Sequence, residues 1–370
     1  MRFSPSILYI SLFLNACVTP FEINTPFQEQ LVVEGMITDQ SGPYLIKISK
    51  TVPISQQVYK SDFVKGAQVV IKDDQGNSES LTEKSSGNYF TQSFQGMVGR
   101  VYSITITTTE GQIYQSIPEK LLPVGDFSNL HYEFVQKEPS NVNRQVTSSN
   151  GFNIYIDSDV LPEQEGRAWW RLTGTFEIFT YPRLQVDPEA IGTEIVYLPD
   201  PPACSGYRVI RGVLTLNPNS TCTCCTCWVT HYNESPLISD PNFISNQKIN
   251  NLNIAFIEAN VRNFYNKYYL EVEQLSISQA LYDFWKIIKV QKQNTSNLFQ
   301  TPSPKTSGNI IAITPNSTSV IGYFAASASK KHAIVLNRSD VPYEIQPIDT
   351  LAMSCIKAYK FSSATKPPFW

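Results

Sequence analysis

Charge is scarce in this sequence: only 16% of its 370 residues are Asp, Glu, Lys or Arg, and the formal net charge is -3. Without a basic excess, the phosphate-neutralising contribution that dominates nucleic-acid binding is missing, so neither DNA nor RNA is an expected partner. Histidine is scarcer still, with His131, His231 and His332 alone. None stands in an H-E-x-x-H pattern, which excludes zinc peptidases of that kind. The chain has no G-x-S-x-G elbow, no P-loop and no G-x-G-x-x-G. Glycoside hydrolysis needs two carboxylates at a set separation in space. The pairs Asp157/Asp159, Glu163/Glu165 and Glu271/Glu273 read instead as solvated strand or turn positions. No enzymatic activity, cofactor or metal is expected. Nor is there a run of about 18 apolar residues after the first segment, so no transmembrane helix is expected.

The first segment has its own logic. Arg2 precedes an apolar run from Ile7 to Leu14, too short to span a bilayer but suited to the core of an export signal. The run ends in Leu14-Asn15-Ala16-Cys17. This spacing resembles a bacterial lipobox, in which the Cys thiol is acylated and becomes the new N-terminus. Two or more acyl chains anchor stably where one does not. Residues 1–17 therefore read as a lipoprotein signal with Cys17 as the lipidated residue. Val18 and Thr19 follow, with no Asp of the kind that retains some lipoproteins in the inner membrane. The expected location is the outer membrane, on its surface or its periplasmic face. Residues 18–30, with Pro20 and Pro26, read as a tether.

Aromatics are plentiful (19 Tyr and 20 Phe), and such a mix favours strands. Residues 31–117 read as a β-sandwich of the immunoglobulin or transthyretin type, with about seven short strands separated by turn signals. In Val101–Thr108, Tyr102, Ile104 and Ile106 alternate with Ser103, Thr105 and Thr107, the period of a half-buried strand. Residues 118–370 read as a larger β-rich domain, with strands expected over 152–157, 168–181, 252–261, 265–274, 310–314 and 319–326. One helix is expected over 277–292. Ser276 and Gln279 have capping-box spacing, and Ile277, Leu281, Phe284, Trp285 and Ile288 recur at helical intervals. That stripe reads as packing on a sheet. Trp169, Trp170 and Tyr181 form an aromatic group that reads either as core or as a ligand platform. The terminal Phe369-Trp370 is expected to dock on the domain, because exposure would waste its apolar surface.

With Cys17 assigned to lipid, six cysteines are left: Cys204, Cys222, Cys224, Cys225, Cys227 and Cys355. An even number in an exported chain reads as disulfides, with 15 possible pairings. Extended backbone would send Cys222 and Cys224 to one face and Cys225 and Cys227 to the other. Cys204 is near enough to close a loop onto the cluster, and Cys355 would staple the tail to it. The competing readings are a soft-metal site, with His231 as a further ligand, and a labile redox pair. Asp349-Thr350-Leu351 matches a short O-glycosylation sequon.

Several stretches together resemble a family of Bacteroidota lipoproteins catalogued as domain of unknown function 4249. They are the lipobox followed by Leu31-Val32-Val33-Glu34-Gly35-Met36-Ile37-Thr38-Asp39; Gly66-Ala67-Gln68-Val69; Gly87-Asn88-Tyr89; and Gly96-Met97-Val98-Gly99-Arg100-Val101-Tyr102. Further on come Tyr282-Asp283-Phe284-Trp285-Lys286, Pro302-Ser303, Gly308-Asn309-Ile310, Val320-Ile321-Gly322-Tyr323-Phe324-Ala325-Ala326-Ser327 and the terminal Phe369-Trp370. The order is kept over nearly the whole chain. Family members often carry two closely spaced cysteines near the end. This chain has Cys355 there alone, which points to a partner in the 222–227 cluster. The resemblance implies an outer-membrane location and frequent gene pairing with TonB-dependent receptors, and no catalytic residues. The expected function is a non-enzymatic accessory or ligand-binding lipoprotein of a TonB-dependent transporter. The alternative is a stand-alone glycan- or peptide-binding surface lipoprotein.

Overall fold

The computed structural model describes residues 27–53, 62–136, 140–142, 145–147, 150–165, 167–294, 308–345 and 350–370. The segments read above as an export signal with Cys17 and as most of a tether, and Asp349 of the sequon match, lie outside the described residues. The protein is mainly β, in several sheets.

The N-terminal sandwich packs two sheets face to face. One sheet has the order 319–327, 30–38, 45–50, 88–90, 82–85; the other has 310–312, 113–116, 101–107, 68–73, 78–80. Their inward faces follow the sequence alternation: Val33, Ile46, Ile48, Val69, Ile71, Tyr102, Ile104 and Ile106 are all buried. Each full burial of such a side chain contributes about 1.5–3 kcal/mol of transfer free energy. Two strands of this sandwich, Ile310–Ala312 and Ser319–Ser327, arrive from far beyond residue 117. The sandwich is therefore not built from residues 31–117 alone. Strand Ser319–Ser327 lies parallel to Gln30–Thr38 over nine paired residues. At its centre Gly322 (φ +114°) comes so close to Val33 that a Cβ would meet the Val33 carbonyl oxygen at 2.0 Å. Only glycine fits that approach. The outer edge of the same strand is closed by Asn309. Its side chain accepts from Phe324 N and donates to Phe324 O, both at 2.9 Å.

The second domain centres on a sheet with the order 329–337, 267–276, 168–179, 226–232, 362–363. A three-stranded sheet, 127–135, 151–159 and 248–258, packs with it around a core that includes Phe152, Ile154, Trp170, Phe176, Phe264, Leu270 and Val272. The two domains share one line of chain. Ser319–Ser327 ends in the sandwich, Ala328 follows, and Ser329–Asn337 begins in the second sheet. Ser276 pins this crossing. Its hydroxyl donates to Leu122 O at 2.6 Å and accepts from Ala328 N at 2.9 Å.

Helix Gln279–Asn294 begins where strand Lys267–Ser276 ends. Its N-terminal cap is not Ser276, as the spacing predicts, but Ser278, whose hydroxyl accepts from Leu281 N at 3.1 Å. Ser276 is taken by the domain crossing instead. The predicted stripe does pack on its surroundings. Ile277 and Leu281 are buried in a small cluster with Tyr282, Tyr323 and Ala325, and Phe284, Trp285, Met36 and Trp169 pack against it. The C-terminus docks as expected: Phe369 stacks on Tyr269 with ring centroids 4.2 Å apart, and Lys267 lies over the Trp370 ring.

All six remaining cysteines are paired, as Cys204–Cys224, Cys222–Cys225 and Cys227–Cys355. No thiolate among them is left for a metal. The extended geometry expected for 222–227 does not hold. Residues 223–225 bend, which brings Cys222 and Cys225 together with Cα atoms 5.7 Å apart. Strand geometry resumes at Thr226. Cys227 is fully buried and reaches Cys355 at the start of a short helix, Cys355–Ala358. The bridge thus ties the tail to the central sheet.

Candidate functional site

Strand Ala168–Phe179 is long, and its burial alternates except at Gly174–Phe176, which are buried in succession; consecutive residues face opposite sides. Trp170 points into the core, where it is 0% exposed. Its indole N–H donates to Gln274 Oε1 at 2.7 Å. It belongs to the core and does not contribute to an aromatic platform. Trp169 points the other way, towards helix Gln279–Asn294, and stacks at a tilt on Trp285 with centroids 4.8 Å apart. Tyr181 lies beyond the far end of the strand, on the order of 40 Å from Trp169 at about 3.3 Å per residue. There it packs edge-on against Phe179 and carries Arg183 over its ring. The three aromatics grouped by sequence are thus in three places, and of them Trp169 lines the groove.

That cavity is a groove between the outer face of strand Gln30–Thr38 and the second sheet, with the helix as its third wall. It encloses about 1150 Å³. A smaller chamber of about 450 Å³ adjoins it and shares Trp169, Arg171, Glu273, Trp285, Ile288 and Lys331 as lining. The smaller chamber is within the usual size range of small-ligand sites, roughly 300–1,000 Å³, and the larger is slightly above it. Phe284 extends the aromatic wall: its ring lies 5.3 Å from Trp285 and 5.1 Å from Tyr323. Charged residues face this wall in pairs. Arg171 Nε donates to Glu273 Oε2 at 2.8 Å while its guanidinium lies 5.5 Å from the Trp169 ring centre. Glu273 is almost buried, and its second oxygen accepts from Ser329 Oγ at 2.6 Å. Lys331 Nζ pairs with Glu271 Oε1 at 3.0 Å. The indole N–H groups of Trp169 and Trp285 are both buried and meet no acceptor among the described residues. A buried donor left unpaired costs about 1–3 kcal/mol.

Behind the groove wall sits Glu119, only 4% exposed. It accepts a short hydrogen bond from the Tyr323 hydroxyl. Burial pushes the Glu119 carboxyl above its ordinary range, against hydrogen bonds from Tyr323, Ser278 and Asn309 that pull it down. Burial and the facing carboxylate both push the Tyr323 phenol up. The pair fixes Tyr323, and through it Phe284, at the junction of sandwich and helix.

None of the histidines lines the groove. His131 stacks on Tyr155, and His332 lies 3.2 Å from Asp126. Asp157 is used structurally, accepting from Asn129 and from Asn251 N. Among the described residues no group of three or more His, Cys, Asp or Glu is placed to hold a metal ion. What the groove offers chemically is recognition: aromatic faces, N–H donors and fixed charges of both signs. Sequence reasoning missed Arg171, Glu273 and Lys331 as groove residues. Arg171 alone shows a signal, alternating with buried Trp170 and Leu172; Glu273 lies in a buried run and Lys331 in an exposed one, so neither is marked as facing the groove.

These features define a disulfide-stapled protein of two β-sheet bodies, joined where strand Ser319–Ser327 passes through Ala328 into strand Ser329–Asn337, and holding a groove beneath one helix. A family model described as Domain of unknown function (DUF4249) matches residues 18–333. The chain belongs to that family. No curated protein and no solved structure matches it.

Proposed function

We propose that this chain is an outer-membrane lipoprotein, anchored through Cys17, which serves a TonB-dependent transporter as a non-enzymatic, ligand-binding accessory. The observation that carries the reading is the groove. It is lined by Trp169, Trp285 and Phe284 and by the Arg171–Glu273 and Lys331–Glu271 pairs, and it is complete within one chain. Arg171 and Lys331 line it with N–H donors for a ligand's acceptor oxygens, beside the ring faces of Trp169, Phe284 and Trp285. Glycans and peptides both present such oxygens together with apolar faces that stack on indoles. The lipobox spacing supports the anchor, and the family resemblance supports the transporter.

The test is affinity purification of the tagged, lipidated protein from detergent-solubilised outer membranes, followed by mass spectrometry. Recovery of one TonB-dependent barrel in near-stoichiometric amount is the expected result. Recovery of the lipoprotein alone, under conditions that keep other barrel complexes intact, overturns the accessory role. A groove complete in one chain then favours stand-alone glycan or peptide binding at the cell surface.

A further inference from the structure

The smaller chamber of the groove leads onto the outer face of the second sheet. Its lining includes Tyr232, Thr173 and Glu271, which stand on three neighbouring strands. Directly opposed residues point to the same side of a sheet. Thr173 lies opposite both of the others, so the three form one row on the outer face. The next row along the strands is Thr230, Thr175 and Tyr269. Two rings from the C-terminal segment come onto this face. Phe361 packs edge-on against Tyr232 with centroids 5.7 Å apart, and Phe369 stacks on Tyr269 at 4.2 Å. Tyr232 is 52%, Phe361 59% and Phe369 48% exposed. Thr173 and Thr175 thus floor a trough that continues the chamber, with an aromatic pair on each flank. The flanking strands stand about 10 Å apart, two strand spacings, and the track from Trp169 to Thr175 is about 20 Å long.

Three observations select the class of ligand. The first is that the strands beneath it offer no free edge. Gln30–Thr38, Ala168–Phe179 and Lys267–Ser276 are each paired on both sides, so an extended peptide has no backbone ladder to join. A helix, about 10–12 Å across with its side chains, is wider than the trough. The second is that charge in the chamber is balanced. Arg171, Lys292 and Lys331 stand with Glu234, Glu271 and Glu273, and neither a polyanion nor a polycation meets a net opposite field.

The third is that donors and acceptors alternate at close range. Arg171 Nε lies 2.8 Å from Glu273 Oε2, and Lys331 Nζ lies 3.0 Å from Glu271 Oε1. A hydroxyl both donates and accepts, so neighbouring hydroxyls on one ligand match both members of each pair. A proline-rich segment brings carbonyl acceptors but lacks the N–H donors that Glu271 and Glu273 take. The exposed rings of the trough add apolar faces at intervals along an open surface, which suits a chain whose units each carry an apolar face.

We propose that the ligand of the groove is a neutral, linear oligosaccharide. One end enters the chamber against Trp285 and the two charge pairs, and the following units lie in the trough between Tyr232/Phe361 and Tyr269/Phe369. This rests on the reading of the groove as a ligand site and adds the class and the extent of the ligand.

The experiment titrates the full chain in detergent with glucan, xylan and mannan oligosaccharides of about two to eight units. Uronic-acid oligosaccharides of the same lengths and pools of octapeptides, proline-rich ones included, are titrated beside them. Tryptophan fluorescence and calorimetry report binding. At least one neutral series is expected to bind, with affinity rising at least tenfold from two units to six. Its affinity stays level from about 50 to 500 mM salt, as an uncharged ligand requires. Phe361→Ala with Phe369→Ala lowers the affinity for six units at least fivefold, and Phe361→Tyr with Phe369→Tyr restores it. Circular dichroism and Tm report the folding of each variant, and the dependence on length and salt needs no variant. Preference for the acidic series or for peptides overturns the neutral glycan while leaving the groove a ligand site. Neutral binding without dependence on chain length overturns the trough. Binding of none of the series, or binding indifferent to Trp285→Ala, overturns the proposal together with the groove reading beneath it.

Discussion

The indole of Trp170 and the amide of Gln274 hold each other inside the second domain. Trp170 Nε1 donates to Gln274 Oε1 at 2.7 Å, the same oxygen accepts from Ser158 Oγ at 2.7 Å, and Gln274 Nε2 donates to Gly125 O at 2.8 Å. One buried amide thereby satisfies polar groups from three other segments. Replacing it with an apolar side chain of similar shape strands all of them. Gln274→Met is expected to destabilise the protein by about 3 kcal/mol. The check is urea unfolding followed by tryptophan fluorescence. A loss below about 1 kcal/mol means that the network is not holding the two sheets together.

The three disulfides close loops of very different length. Cys227–Cys355 spans 128 residues and Cys222–Cys225 only 3. Loop-closure entropy assigns about 5 kcal/mol to the first and about 2 kcal/mol to the second. Removing each pair as a double Ser substitution is expected to lower Tm markedly more for Cys227/Cys355. The comparison is made by differential scanning calorimetry at one pH. Equal losses point to local strain or packing, not chain entropy, as the source of stabilisation.

Strand positions were legible because burial imposes a period. Tyr102, Ile104 and Ile106 alternate with smaller polar neighbours, and that alone gives their inward face. Pairing partners were not legible. Nothing in Ser319–Ser327 says that it lies along Gln30–Thr38, since a backbone ladder forms with any strand whose faces agree. The hairpins of 186–216 were missed because Pro188, Pro199 and several glycines read as loop, and both faces contain apolar residues. Their signal was the turns. Arg211 and Gly212 both take positive φ (51° and 78°), as a two-residue type I′ turn requires. The groove was half legible. The helical stripe gave Trp285 and Phe284, but only the fold brings Trp169 across to them while turning Trp170 away.

The proposed membrane attachment rests on a single thiol, that of Cys17. Cys17→Ser leaves nothing to acylate, and no helix among the described residues is long and apolar enough to cross a membrane. The variant is expected to lose incorporation of labelled palmitate and to move from the detergent phase to the aqueous phase on Triton X-114 partition. Unchanged partition of the variant overturns the lipid anchor and redirects attention to the protein's other surfaces.

Glu119 links stability to pH in a direction opposite to that of Asp73, Glu79, Asp126 and Asp340, whose carboxyls are held low. Asp73 is the ordinary case. Burial raises its pKa, but hydrogen bonds from Asn77, Gln75 and Arg100 outweigh this and hold it low. Its contribution is present above the unfolded carboxylate range, near pH 4, and is lost as pH falls through the lowered folded value. For Glu119 burial prevails and the folded pKa is raised, so the folded state binds a proton more readily than the unfolded chain does. Its contribution is full below the unfolded value, near pH 4.3, and is lost as pH rises through the folded one. Above its folded pKa the protein carries the cost of an ionised carboxylate at this buried junction. Glu119→Gln keeps an oxygen to accept from Tyr323 and removes the charge. Thermal unfolding of this variant is expected to match the parent near pH 4 and to exceed it at pH 7 and above, with the gap opening between. A variant less stable than the parent at pH 7 means that the Tyr323 hydrogen bond needs the full negative charge, and that this bond outweighs desolvation at the junction of sandwich and helix.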